Sequence, residues 1–236
     1  MGRNNFFQFK QFKIVHELSG MKVGTDGVLL GAWASHPNPK NILDIGAGSG
    51  LMTLMMAQRY DTKITGVEID QIASKEANKN LLSTSWSDRV EILNYPIQQY
   101  RSEKYFDLIV SNPPFFNNGP KSPSSSRKNA RHTDTLSFTD LLSFVSSNLN
   151  NEGVFCLILP FEQLQAITEE AKKQGLYIQK ICYVRPKKDG DIKRILVSFG
   201  FDNTREIIET YMYIEKTRHV YSEEYKKLTK DFYLNM

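Results

Sequence analysis

The stretch Asn41-Ile-Leu-Asp-Ile-Gly-Ala-Gly-Ser-Gly50, continued by Leu51-Met-Thr-Leu-Met-Met-Ala57, changes its character twice within seventeen residues. An apolar run of strand length gives way to three glycines spaced two apart, and these open onto an apolar run of helix length. Glycine lets a backbone turn sharply and approach a ligand closely, and a helix start offers unpaired N–H groups. The same alternation continues outward. Strands are predicted over residues 63–69, 89–93, 106–111 and 153–159. Helices are predicted over 51–60, 71–82, 138–149 and 161–174, with Ser137 or Thr139 opening the third and Gly175 ending the fourth. Residues 176–184 and 192–201 then form two strands with no long helix between them. The series predicts an α/β fold, a doubly wound and mostly parallel seven-stranded sheet with an antiparallel terminal strand.

The chain of 236 residues suits one domain spanning 1–236, with an extension over 1–40 and a charged tail over 204–236, helical across 222–232. Hydrophobic residues make up 40% and charged residues 24%, the balance of an ordinary globular protein. No apolar run reaches the roughly 20 residues needed to cross a bilayer, and the start lacks a secretory pattern, so a cytoplasmic location with no membrane partner is expected. Cys156 and Cys182 lie in apolar surroundings and are expected as buried thiols; no metal is expected. The four histidines show no ligand or triad spacing.

Three further features carry chemistry. An acid, Glu68, ends the second predicted strand in Gly66-Val-Glu-Ile-Asp70, where a carboxylate accepts the hydroxyls of a ribose. The spacing Gly46-x-Gly48-x-Gly50 places Leu51 where the dinucleotide fingerprint wants its third glycine. S-adenosylmethionine therefore fits better than NAD, because it has a ribose but no pyrophosphate to cradle, and Asp44 would lie near its cationic methionine end. Third, the fourth predicted strand leaves through Ser111-Asn-Pro-Pro-Phe-Phe116. Two prolines fix φ and hold their carbonyls stiffly, and an amide there needs hydrogen-bond partners. Between Asp107 and Asp134 the chain carries no acid but holds Lys121, Arg127, Lys128 and Arg131 in a Ser- and Pro-rich setting, suited to phosphate contacts.

The combination Asp44-x-Gly46-x-Gly48-x-Gly50, Glu68 and Asn112-Pro-Pro-Phe115 resembles the Rossmann-like S-adenosylmethionine methyltransferases that modify amino groups, over about residues 20–200. More narrowly, Phe9-Lys-Gln-Phe12 and Met21-Lys-Val-Gly-Thr-Asp-Gly-Val-Leu-Leu-Gly-Ala-Trp33 resemble the bacterial valine-tRNA adenine-N6 methyltransferase family. The resemblance implies tRNA as partner and the adenine just 3′ of the anticodon as target. It implies Asn112 and Pro113 as catalytic acceptors of the amine N–H bonds, and Phe115 stacked on the base. Asp44, Gly46, Gly48, Gly50, Glu68, Ile69, Tyr95, Ile97 and Asn112 would bind cofactor, with Lys22, Thr25 and Asp26 over its methionine end. The family's acid after the third strand is Pro96 here, which leaves the adenine to Tyr95 and Ile97.

Several readings stay open on sequence alone. The same corner serves rRNA guanine, release-factor glutamine or DNA adenine, and a silent RNA-binding relative would keep much of it. Phe6-Phe-Gln-Phe-Lys-Gln-Phe-Lys13 reads as a strand burying one face, or as a base-stacking basic surface. The turn at Asp189-Gly190 reads as a hairpin whose basic flanks touch RNA, Arg194 foremost. A monomer and a homodimer are equally compatible with the sequence.

Overall fold

One nine-stranded sheet organises the computed structural model, which describes residues 5–18, 22–114 and 136–235. In chain order the strands are β1 (Phe6–Gln8), β2 (Lys13–Val15), β3 (Asn41–Ile45), β4 (Lys63–Glu68), β5 (Val90–Asn94), β6 (Phe106–Ser111), β7 (Leu149–Pro160), β8 (Tyr177–Lys187), β9 (Arg194–Gly200), β10 (Ile208–Thr217) and β11 (Val220–Tyr221). The helices are α1 (Thr25–Trp33), α2 (Leu51–Arg59), α3 (Gln71–Leu82), α4 (Phe138–Asn148), α5 (Leu164–Lys173) and α6 (Glu223–Thr229). The sheet order is β11-β10-β8-β9-β7-β6-β3-β4-β5, with β1 and β2 forming a separate hairpin.

All seven expected strands are present, as β3 to β9, but two parts of the expectation change. The antiparallel strand β9 does not lie at the edge: it is inserted between β7 and β8 and runs against both. The tail is not a helix alone. Residues Ile208–Thr217 form β10, parallel to β8, and β11 folds back on it, so the sheet has nine strands rather than seven. β10 satisfies its backbone on the free edge of β8, which a seven-stranded sheet would leave open to pairing with other chains.

Helices cover the sheet on both faces. α1, α2, α3, α6 and the β1–β2 hairpin share one core, and α4 and α5 share the other. α2 is buried from Leu51 to Ala57 because α1 lies over it, which explains its unbroken apolar run. Local capping agrees with the sequence: Asp70, Ser137 and Ser222 each accept a backbone N–H in the first turn of α3, α4 and α6. Gly175, at φ +72°, ends α5.

The amino-terminal aromatics resolve one open reading. Phe9 and Phe12 are buried and stack at 4.6 Å, with Tyr233 of the carboxy terminus at 5.8 Å from Phe9, so these rings build core and do not present faces to RNA. Phe6 alone of the four phenylalanines is exposed, under the Lys13 ammonium. Among the described residues no helix is long and apolar enough to cross a membrane.

Candidate active site

The strand ends bring the motifs together. Ile45 pairs with Ser111, so the glycine loop leaving β3 and the Asn112-Pro113 corner leaving β6 emerge side by side. The Ser111 hydroxyl ties the two by donating to the Ile45 carbonyl at 2.9 Å. The first turn of α1 closes over both: a Cβ on Gly27 would come within 2.9 Å of Leu51 and 4.0 Å of the Asn112 Nδ2. A methyl at position 27 would have to displace the end of the Leu51 side chain. Asn112 is half-buried, Pro113 buried and Pro114 exposed.

Gly46, Gly48 and Gly50 have φ of +78°, +57° and +86°, in the left-handed region that favours glycine. The turn is held by the acid of β4. Gly48 donates to Glu68 Oε2 at 2.8 Å and Asp70 donates to Oε1 at 2.8 Å. Each carboxylate oxygen keeps a lone pair for a ligand hydroxyl. Burial raises the Glu68 carboxyl above its usual range, against the lowering effect of these N–H donors. A Cβ on Gly46 would meet no protein atom within 4 Å, so open space lies above the loop.

Asp44 is fully buried on the α2 side of β3. Thr53 donates to its Oδ2 at 2.7 Å, and Oδ1 has no hydrogen-bond partner among the described residues. Burial pushes its carboxyl up to about 7, with the Thr53 hydrogen bonds opposing and the Glu68 charge adding to the rise. An orphaned buried acceptor is costly unless a cation or donor answers it. The orphaned Asp44, the open space over Gly46 and the unspent lone pairs of Glu68 together fit S-adenosylmethionine, whose ammonium and ribose hydroxyls would supply such partners.

The other expected cofactor residues divide. Ile69 and Tyr95 are exposed, whereas Ile97 is buried among core side chains of the α4–α5 face. Lys22 and Thr25 are exposed at the start of α1. Asp26 accepts the Arg194 Nε at 2.8 Å, an ion pair between α1 and β9 that engages two residues expected to serve cofactor and RNA separately. Pro96 opens a short helical turn, its carbonyl accepting from Gln99 and Tyr100. Phe115, Lys121, Arg127, Lys128 and Arg131 lie outside the described residues.

Three positioning residues escaped the sequence. Thr53 reaches Asp44 as above. Asn94 donates to the carbonyls of Glu68 and Ile69, fixing the acid's turn. Asn80 donates to Ser49 in the glycine loop and exchanges hydrogen bonds with Val15 of the hairpin. Nothing in an isolated Thr or Asn marks such a partner, because each contact joins separate elements. Among the described residues no group of three or more His, Cys, Asp or Glu side chains could hold a metal ion.

The methyltransferase small domain family matches residues 19–132. The chain is 45% identical over 233 residues to the tRNA1(Val) (adenine(37)-N6)-methyltransferase of Phocaeicola vulgatus, covering 99% of both chains. It is 43% identical over 235 residues to the protein of that name from Bacteroides thetaiotaomicron, again with 99% of each covered. In structure it is similar to a predicted O-methyltransferase of Agrobacterium tumefaciens, with a TM-score of 0.68 at 19% identity over 88% of this chain and 96% of the other, a likeness of fold. At 43% and 45% identity over 99% of each chain, the sequence relatives show that the chain belongs to the tRNA1(Val) (adenine(37)-N6)-methyltransferase family.

Proposed function

We propose that this protein methylates the exocyclic N6 of an adenine in tRNA, the adenine beside the anticodon of valine tRNA, with S-adenosylmethionine as methyl donor. The observation that carries the reading is the pairing of Ile45 with Ser111, which sets the Asn112-Pro113 corner beside the glycine loop under one helix start. When bound, the cofactor supplies an activated methyl on a cationic sulfonium. Everything else falls to this chain's residues.

The N6 lone pair of adenine is delocalised into the ring, so the amine is a weak nucleophile. The Asn112 side-chain oxygen and the Pro113 carbonyl would accept its two N–H bonds. That arrangement favours a pyramidal nitrogen and stabilises the positive charge growing on it. The prolines keep the two acceptors from relaxing, and the departing proton passes to water. Phe115 is proposed to stack on the extruded base, and Lys121, Arg127, Lys128 and Arg131 to contact phosphates. Such a substrate would place the enzyme in the cytoplasm.

The test is methyl transfer from labelled S-adenosylmethionine to unmodified bulk tRNA, read by nucleoside mass spectrometry. Ribosomal RNA, release factor and duplex DNA run in parallel. N6-methyladenosine should appear in tRNA alone. Asn112→Ala should lose on the order of 100-fold in turnover at saturating cofactor, the scale of one oriented hydrogen bond to developing charge. Transfer to another acceptor, or unimpaired turnover of the variant, would refute the proposal.

A further inference from the structure

Among the described residues no helix beyond α5 covers the sheet face formed by β8 and β10, and its side chains follow a definite order. The cross-strand pairs on that face run Ile181–Glu209, Tyr183–Tyr211, Arg185–Tyr213 and Lys187–Glu215. Tyr183 and Tyr211 stack at 4.9 Å and 21°, and Phe161, which follows β7, meets Tyr183 edge-on at 6.1 Å. Tyr211 is 62% exposed and Phe161 38%. A cleft of about 600 Å³ opens beside the rings, between α5 and β8.

The platform is level with the catalytic corner. Register carries Ser111 across to Leu157, Val197 and Ile181, and carries Leu159 across to Ile195, Tyr183 and Tyr211. The tyrosine pair therefore sits two residues beyond the row of Ser111, in line with Pro113. At about 4.8 Å between strands, Tyr183 is about 14 Å from β6 and Tyr211 about 19 Å. On the side nearer the strand ends the face turns basic. Lys187 and Lys188 are exposed, and the Arg185 Nε is buried without a hydrogen-bond partner among the described residues. Glu209 stands at the opposite end, while Glu215, beside Lys187, accepts the His219 N–H.

We infer that Phe161, Tyr183 and Tyr211 form a stacking platform for unpaired bases of the tRNA that presents its adenine to Asn112, with Arg185 and Lys187 answering the phosphates between them. The inference rests on the tRNA reading above. RNA suits the face better than a protein partner on three grounds. The Tyr183 and Tyr211 rings are nearly parallel and Tyr211 is exposed, as base stacking requires. The cations lie beyond the rings at the carboxyl ends of the strands, the same end of the sheet as the catalytic corner. An RNA whose one base is extruded at Pro113 brings its neighbours along that row.

Steady-state methylation with the full-length protein and valine tRNA decides it. Tyr211→Ala empties no core, because the ring is mostly exposed. It should raise the KM for tRNA about 10-fold, the scale of one lost base stack, with kcat at saturating tRNA and cofactor affinity unchanged. Tyr211→Phe should keep the wild-type KM. Arg185→Gln should lower the slope of log KM against log salt by about one. An unchanged KM in Tyr211→Ala, or a change confined to oligomeric state in light scattering, would overturn the platform while wild-type methylation left the enzyme reading intact. Failure of the wild type on every tRNA would remove both.

Discussion

Replacing Thr53 with valine isolates the electrostatics under the glycine loop. The Thr53 hydroxyl donates to Asp44 Oδ2 at 2.7 Å in a fully buried setting. A hydrogen bond to a charged group contributes about 1.5–3 kcal/mol, and 1.36 kcal/mol changes an ionisation constant about tenfold. Asp44 titrates at about 7, so near that pH about half of the groups are ionised. Without the hydroxyl the ionisation constant falls about 10- to 100-fold, and the ionised fraction at pH 7 drops to about a tenth or below. If the carboxylate is what answers the cofactor's ammonium, the Kd at pH 7 should rise about 5- to 50-fold. The gap should narrow toward pH 8, as the variant recovers its charge. Titration calorimetry with S-adenosylhomocysteine, which keeps the ammonium, measures this from pH 6 to 8. Equal affinities at pH 7, or a ratio independent of pH, would refute the role assigned to Asp44.

The same carboxyl links stability to pH. Its folded value lies above its ordinary 3.8, so the folded state binds the proton more tightly, and stability is lost as pH rises from about 4 to about 7. Bound cofactor offsets that loss, so the rise in Tm on adding S-adenosylhomocysteine should be larger at pH 7.5 than at pH 5.5 in scanning calorimetry. Arg194→Ala should lower turnover several-fold yet leave the salt slope of tRNA binding unchanged, because Arg194 is paired with Asp26; a slope lower by about one would assign it to a phosphate. Gly46→Ala adds about 1–2 kcal/mol of left-handed strain and puts a methyl into the open space above the loop. Its cofactor affinity should fall further than its stability, whereas Gly50→Ala, whose Cβ would press on Ala77 at 3.3 Å, should chiefly lower Tm.

Local signals made much of the site legible. The left-handed turns at Gly46, Gly48 and Gly50, the acid at Glu68 and the rigid Asn112-Pro113 exit are each set within a few residues of chain, and the change from strand period to helix period fixed β3 and α2. The caps at Asp70, Ser137 and Ser222 and the end of α5 at Gly175 are local in the same way. What the tertiary structure alone decided joins distant segments. Asp26 and Arg194 meet across 168 positions, and neither carries a mark of the other. Phe9 and Phe12 could have faced solvent or core until Tyr233 closed over Phe9. Ile208-Glu-Thr-Tyr-Met-Tyr-Ile-Glu-Lys-Thr217 alternates too polar a pattern for a buried strand, and it became β10 because β8 offered an open edge. The place of β9 between β7 and β8 is likewise a matter of pairing between strands. Backbone conformation and amphipathic period are properties of a short segment; strand order, ion pairs between elements and the partner of a buried carboxylate depend on which surfaces the whole chain brings into contact.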